Sequence, residues 1–282
     1  MPSQVSQKDF LHWVIQEDIG SGDITTDNLI PETAHSTADI IAKSEGIISG
    51  LVFAQYLLVE LSPSLHLFPK VSAGSAVNPG DLIATIEGKT RDILRIERTL
   101  LNFLKHLCGV ATLTSKFVKE VQGIPVQILD TRKTTPGMRT LEKQAVLDGG
   151  GHNHRIGLYD MVLIKENHLA AHKDKPLLEI ITSLKKKIPA GMQIELEVDS
   201  VELLKDAVLC PVNYIMLDNF QISDVPKAVD LVKKTNPKIF TEVSGNINLQ
   251  TVRKYAETGV DRISIGALTH SAPVLDLSII IR

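Results

Sequence analysis

Asp130-Thr131-Arg132-Lys133-Thr134-Thr135-Pro136-Gly137 opens the stretch around which the chain is organised, and Leu163-Ile164-Lys165-Glu166-Asn167-His168 closes it. Between them lies Gly149-Gly150-Gly151-His152-Asn153-His154-Arg155. From Asp130 to Lys165 there are six Lys or Arg, four Asp or Glu and two His, in a chain whose formal net charge is −3. The local excess of positive charge is therefore against the trend of the whole. Arg132, Lys133 and Lys165 each follow an apolar run instead of sitting in a polar one. That placement suits capture of a multiply charged anion better than a solvated basic loop.

Outward from this stretch, the C-terminal part repeats one rhythm. Short apolar runs occur at Val126–Asp130, Met161–Ile164, Ile194–Val198, Tyr214–Leu217, Ile239–Val243 and Arg262–Ile265. Helical spacing occurs between them at Thr140–Leu147, Leu177–Lys187, Val201–Leu209, Val225–Lys234 and Leu249–Thr258. Strands alternating with helices imply a parallel sheet with right-handed crossovers. The simplest closed form is a six-stranded β/α barrel, with an open doubly wound sheet as the alternative. No G-x-G-x-x-G follows the first strand, which weighs against dinucleotide binding.

The N-terminal part reads differently. Phe10–Glu17 has helical spacing, Glu17–Thr26 reads as a loop, and Ser36–Ile48 reads as strands broken at Gly46 and Gly50. Val52–Leu61 reads as a helix, and Leu65–Val71 and Leu82–Glu87 as strands, which makes a small α/β sandwich. Asp92 to Gln122 reads as a helix whose apolar residues cover a wide arc, so it is expected to be buried on several sides, between domains or subunits. Arg98 sits in that helix and is expected to be buried with an anionic ligand or partner. The expected division is residues 1–110 for the sandwich and 111–271 for the barrel. Leu275–Ile281 reads as a strand of the barrel or of the first domain, and residues 272–282 are assigned to the latter.

Apolar residues make up 43% and charged residues 22%, which is ordinary for a globular protein that needs no disulfide or metal staple. Cys108 and Cys210 sit among apolar neighbours and read as buried free thiols of a reducing compartment. Met1 to Phe10 is polar, so no secretory signal is expected. No apolar run is long enough to cross a bilayer. Aromatics are 4% and there is no basic tail, which excludes nucleic acid as the expected partner. The expected setting is cytoplasmic.

In a β/α barrel, function collects where the strands end. The six ends carry Arg132-Lys133, Lys165, Glu197-Val198-Asp199, Asp218-Asn219, Ser244-Gly245-Asn246 and Ser264-Ile265-Gly266. The two small-residue turns expose backbone N–H groups that can cradle a phosphate. Glu197 and Asp218 can hold Mg²⁺ or sugar hydroxyls. Arg and Lys can clamp carboxylates and a diphosphate. An isolated His152-Asn153-His154 reads as polar loop structure before it reads as a metal site. Together the ends describe a site for a phosphorylated sugar carrying a second anionic group, beside a carboxylated co-substrate.

At these residues the chain resembles the quinolinate phosphoribosyltransferases, also called carboxylating nicotinate-nucleotide pyrophosphorylases, of the type II phosphoribosyltransferase family. The resemblance runs through Glu17–Asp23, Glu97-Arg98-Thr99-Leu100-Leu101-Asn102, Thr131–Gly137, Asn153-His154-Arg155, Leu163–His168, Leu217-Asp218-Asn219, Gly259-Val260-Asp261 and Leu268-Thr269-His270. It implies an N-terminal α/β sandwich, a six-stranded β/α barrel, and a homodimer, with higher assembly open, in which each site is completed by the neighbour. It implies quinolinate contacts at Arg132, His154, Arg155 and Lys165, a further substrate contact at Thr131, and a cross-subunit Arg98. It places phosphoribosyl diphosphate and its Mg²⁺, held indirectly, at Lys133, Glu197 and Asp218, with phosphate turns at Ser244, Gly245, Asn246, Ser264, Ile265 and Gly266. Lys133, Lys165, Glu197 and Asp218 are the implied catalytic residues. Asn246 stands where a second glycine is common; asparagine tolerates a left-handed backbone, so the turn is expected to survive.

Three other readings stay open on the residues. A same-scaffold transferase acting on another heterocycle shares the fold. A Schiff-base aldolase would use Lys165, although the surrounding cations make Lys165 a carboxylate clamp. A non-catalytic sugar-phosphate sensor would have lost some of these strand-end residues.

Overall fold

The computed structural model describes residues 7–172 and 175–282; residues 1–6, part of the polar Met1–Phe10 segment, lie outside that range. The helices are α1 (Gln7–Ile19), α2 (Ile24–Leu29), α3 (Leu51–Leu61), α4 (Thr90–Glu120), α5 (Arg139–Asp148), α6 (Glu166–Leu169), α7 (Leu177–Lys185), α8 (Val201–Ala207), α9 (Val225–Thr235), α10 (Val252–Ala256) and α11 (Ala267–His270). The strands are β1 (His35–Ala42), β2 (Gly46–Ile47), β3 (His66–Pro69), β4 (Ala76–Val77), β5 (Leu82–Lys89), β6 (Gln127–Leu129), β7 (Val162–Ile164), β8 (Ile194–Val198), β9 (Tyr214–Asp218), β10 (Phe240–Ser244), β11 (Arg262–Ser264) and β12 (Leu277–Ile281).

The chain divides into two compact units. One comprises Met1–Ser115, Thr135–Gly150 and Ser271–Arg282; the other comprises Lys116–Thr134 and Gly151–His270. This differs from a simple boundary at residue 110, because α5 and its flanks group with the first unit. In the first unit, β1 pairs antiparallel with both β5 and β12, giving a sheet ordered β12-β1-β5-β3. Ala38, Ile40 and Ala42 alternate along β1 and are fully buried, as period-two patterning requires. They share one core with Leu57 and Leu58 of α3 and with Ile93, Ile96, Leu100 and Leu104 of α4. Truncating a fully buried leucine such as Leu57 to Ala costs about 2–5 kcal/mol.

Two expectations are corrected here. The presumed loop Glu17–Thr26 is mostly helix: α1 runs to Ile19, and Thr25-Thr26 belong to α2. Asp23 caps α2 by accepting from Thr26 N at 3.0 Å, which is why an Asp-rich segment starts a helix. Arg98, expected to be buried, is exposed, while Ile93, Ile96, Leu100, Leu101 and Leu104 of the same helix lie in the first unit's core.

The second unit holds a parallel sheet ordered β6-β11-β10-β9-β8-β7. Consecutive strands from β7 to β11 are neighbours, and the last, β11, pairs with the first, β6. That order is cyclic, whereas an open doubly wound sheet reverses its order at a switch point. The ring is a β/α barrel whose seam lies between β6 and β7. At the seam the chain around His152 is laid against β6: His152 N donates to Ile128 O at 2.8 Å, and Asp130 N to His152 O at 3.1 Å. Short helices α6 and α11, which the sequence rhythm did not mark, start directly after the β7 and β11 ends.

Candidate active site at the barrel mouth

The C-terminal ends of the six strands open on one cavity of about 680 Å³. Alternation within the strands decides what faces it. On β8, Ile194, Leu196 and Val198 are buried, while Glu197 lines the cavity, so the solvent-facing alternative for Glu197 falls away. Thr131, Arg132, Lys133, His154, Arg155, Lys165, Asp218, Ser244, Gly245, Asn246, Ser264, Ile265 and Gly266 line it too. The cavity also takes in Asn219, which the strand-end reading named without a role, and Met216, Ile247 and His270, which were given no place in the site. His270 lies four residues after Gly266, one turn along α11, and that spacing is the signal that was available.

On one side the cavity is cationic. The Arg155 guanidinium has its pKa lowered, first by burial and then by the nearby Arg132. Arg155 Nη1 donates to Met161 O at 3.1 Å, and Arg132 Nε is buried with no hydrogen-bond partner among the described residues. Two guanidiniums close enough to repel each other make a place for an anion.

On the facing side it is acidic. Lys165 Nζ contacts Glu197 Oε2 at 2.5 Å. The Asp218 carboxyl is raised above the ordinary range by burial first and by the like charge of Glu197 second, while Lys165 and Asn219 oppose the shift. The two carboxylates offer oxygen donors only, which fits Mg²⁺, an ion usually bound through one or two carboxylates plus substrate phosphates.

The two small-residue turns differ in what they offer. Among the described residues the N–H groups of Gly245, Asn246 and Gly266 have no protein acceptor, as a phosphate cradle requires. Ile265 does not fit that role through its amide, because Ile265 N donates to Leu129 O at 2.9 Å. Gly266 lets the Lys133 side chain pass closely: a Cβ there would stand 2.9 Å from Lys133 Cδ, so the lysine would have to shift. Asn246 holds φ 51°, so the left-handed turn is kept without the second glycine.

Beneath the mouth lies a buried polar floor. His154 Nε2 is 2.8 Å from Glu195 Oε2 and 3.5 Å from Glu242 Oε1, and Ser264 Oγ donates to Glu242. Arg155 N donates to His154 Nδ1 at 2.8 Å, which puts the ring proton of the neutral imidazole on Nε2, toward Glu195. His154 thus joins the mouth to this floor, with Nδ1 accepting from Arg155 N and Nε2 beside the Glu195 carboxyl. Burial pushes Glu195 up to about 7 and Glu242 up to about 8. His154, Glu195 and Glu242 present ligand atoms within 4.8 Å of one another. Arg262 lies in the field of both carboxyls and opposes the two shifts, but burial outweighs it.

Arg98 is not among the cavity residues. It lies in the first unit, exposed, on a groove of about 600 Å³ with Trp13, Asp18, Thr99 and Phe103. Neither thiol lines the cavity: both are buried, and burial pushes Cys108 up to about 12 and Cys210 to about 11. Among the described residues no helix is long and apolar enough to cross a membrane.

Residues 110–280 match the family model described as quinolinate phosphoribosyl transferase, C-terminal domain, and residues 23–108 match its N-terminal domain. A quinolinate phosphoribosyltransferase [decarboxylating] of Nicotiana glauca is 38% identical over 96% of this chain and 81% of its own. A probable nicotinate-nucleotide pyrophosphorylase [carboxylating] of Bacillus subtilis is 38% identical over 96% and 92%. The solved nicotinate-nucleotide pyrophosphorylase of Francisella tularensis is 37% identical, covers 98% of this chain and 95% of that one, and superposes with a TM-score of 0.89.

Proposed function

The chain belongs to the quinolinate phosphoribosyltransferase family, and from that premise we propose that it transfers phosphoribose from 5-phosphoribosyl 1-diphosphate to quinolinate with loss of CO₂, yielding nicotinate mononucleotide and diphosphate for NAD synthesis. The observation that carries the reading is one cavity with cations on one wall, carboxylates on the other, and amide-rich turns between.

The parts divide by chemistry. Arg132 and Arg155, which repel each other when no anion lies between them, receive the two adjacent carboxylates of quinolinate. Lys165, held by Glu197, completes the clamp. The amides of Gly245, Asn246 and Gly266 hold the 5′-phosphate. Glu197 and Asp218 face the ribose and would hold Mg²⁺, which when bound neutralises diphosphate charge. The pyridine nitrogen displaces diphosphate at C1 of the ribose, through an oxocarbenium-like transition state. Positioning and stabilisation of the leaving-group charge, by Lys133 among others, supply the catalysis. Ribosylation makes the ring cationic, and that charge stabilises the carbanion left when the 2-carboxylate departs as CO₂; a proton from water then bonds to C2, giving nicotinate mononucleotide. No covalent nucleophile is required. The active form is a cytoplasmic homodimer, and Arg98, exposed on a groove, enters the neighbour's site.

The test is incubation with quinolinate, phosphoribosyl diphosphate and Mg²⁺, following CO₂ and nicotinate mononucleotide. Product from another heterocycle without CO₂ release would point to the same-scaffold alternative and overturn the reading.

A further inference from the structure

Among the described residues only two non-glycine residues have positive φ, Asn219 at 56° and Asn246 at 51°. Both line the mouth, on loops that follow adjacent parallel strands, β9 and β10. Asn219 is the node between them. Its N–H donates to Ser244 O at 2.8 Å, and its Nδ2 donates to Asp218 Oδ2 at 2.9 Å. Its Oδ1 accepts from Asn246 Nδ2 at 3.4 Å. The amide also lies against Gly245: a Cβ there would stand 2.2 Å from Asn219 Oδ1, and Gly245 itself has φ 103°. Two left-handed asparagines joined through one amide, wedged on an obligatory glycine, are more than two tolerated turns. Such φ values in non-glycine residues persist where the surroundings hold them, and they cluster at ligand clamps.

We infer that Asn219 is a positioning residue that locks the Asp218 carboxylate to the Ser244-Gly245-Asn246 turn, with Asn246 completing the lock. This rests on the reading of Asp218 and the turn as the ribose and phosphate sides of one substrate. The spacing between a ribose hydroxyl and its own 5′-phosphate is set by covalent structure. A clamp for both ends gains most when its two halves cannot drift apart, since less ordering is left for the moment of binding. Asn246, where a glycine would leave the turn free, contributes the second amide that glycine lacks. The pair also accounts for the steric need for Gly245: the amide occupies the space a side chain would take.

The test uses N219G, which keeps the left-handed backbone accessible while deleting the amide, together with N246G and the double variant. For N219G the KM for phosphoribosyl diphosphate should rise on the order of ten- to a hundredfold, as expected when a carboxylate loses a positioned donor. The KM for quinolinate and the thermal midpoint should stay as in the parent. N246G should weaken phosphoribosyl diphosphate less, and should add nothing in the N219G background, because its contact runs through Asn219. N219D, which sets a second carboxylate beside Asp218, should be worse than N219G. Calorimetric titration of inorganic diphosphate with Mg²⁺ should give the same ranking without turnover. Unchanged phosphoribosyl diphosphate and diphosphate binding in N219G would overturn the inference. So would equal weakening of both substrates, additive effects of the two glycine variants, or a parent protein that binds no diphosphate. A parent that binds diphosphate but forms no nicotinate mononucleotide would sink the reaction assigned above, and the diphosphate ranking would still decide the role of Asn219.

Discussion

Replacing Glu242 with Gln should make the protein more stable at alkaline pH and leave it nearly unchanged at acid pH. Glu242 is fully buried and is pushed from 4.5 to about 8, by desolvation first and by the charge of Glu195 second. His154, Ser264 and Arg262 oppose the shift. A carboxyl whose folded-state pKa is raised favours the folded state fully only below its unfolded pKa. That contribution is lost as pH climbs through the folded value, here between pH 4.5 and about 8. Each pKa unit is worth about 1.4 kcal/mol, and Glu195, itself raised to about 7, shares the same titration. The loss assignable to Glu242 is therefore on the order of a few kcal/mol. Gln cannot ionise, and its amide oxygen can still accept from Ser264 Oγ. Calorimetric melts of parent and E242Q across pH 5.5 to 9 should show a difference in midpoint that widens with pH to about 5–10 °C. A constant difference over that range would refute the burial-driven shift and place an unseen counter-charge beside Glu242.

Quinolinate should be strongly preferred over nicotinate, because a missing carboxylate leaves Arg132 or Arg155 facing like charge; equal kcat/KM for the two acids would reject the clamp. E197Q should free Lys165 and lower the Asp218 pKa, so it should depress turnover and Mg²⁺ dependence while changing stability by less than about 1 kcal/mol, as Lys165 is 45% exposed. A collapse of quinolinate affinity with normal Mg²⁺ dependence would reverse that assignment. R98A and K165A should each be nearly inactive. Refolding them together should restore about a quarter of the sites, since a two-fold dimer pairs its halves reciprocally. No recovery, with exchange proven by tagged subunits, would remove Arg98 from the neighbour's site.

Much of the site was legible because strand ends are local features. An apolar run followed by Arg132-Lys133, Lys165, Glu197 or Asp218 names its own position in a barrel, and all of these reach one cavity. Period-two alternation likewise marked strands within Ser36–Ile48, and in the structure Ala38, Ile40 and Ala42 form the buried face of β1. Capping chemistry was underread: Asp23 carried the start of α2, but its glycine-rich setting argued for a loop.

What the amino-acid order determined by itself was the type of the longer elements, the parallel rhythm and the charge at each strand end, because these depend on neighbours within a few residues. Tertiary structure decided whether the ring closes, through the pairing of β11 with β6. It also decided where residues 277–281 go, through the pairing of β12 with β1. The same level decided that Arg98 is exposed, that Ile265 N–H is taken by Leu129, and that His154 meets Glu195 and Glu242 instead of standing free. It decided the Asn219–Asn246 contact as well. Each of these joins residues from separate strands or loops. Hydrogen-bond partners and burial at such range are properties of the closed fold, and no local period records them.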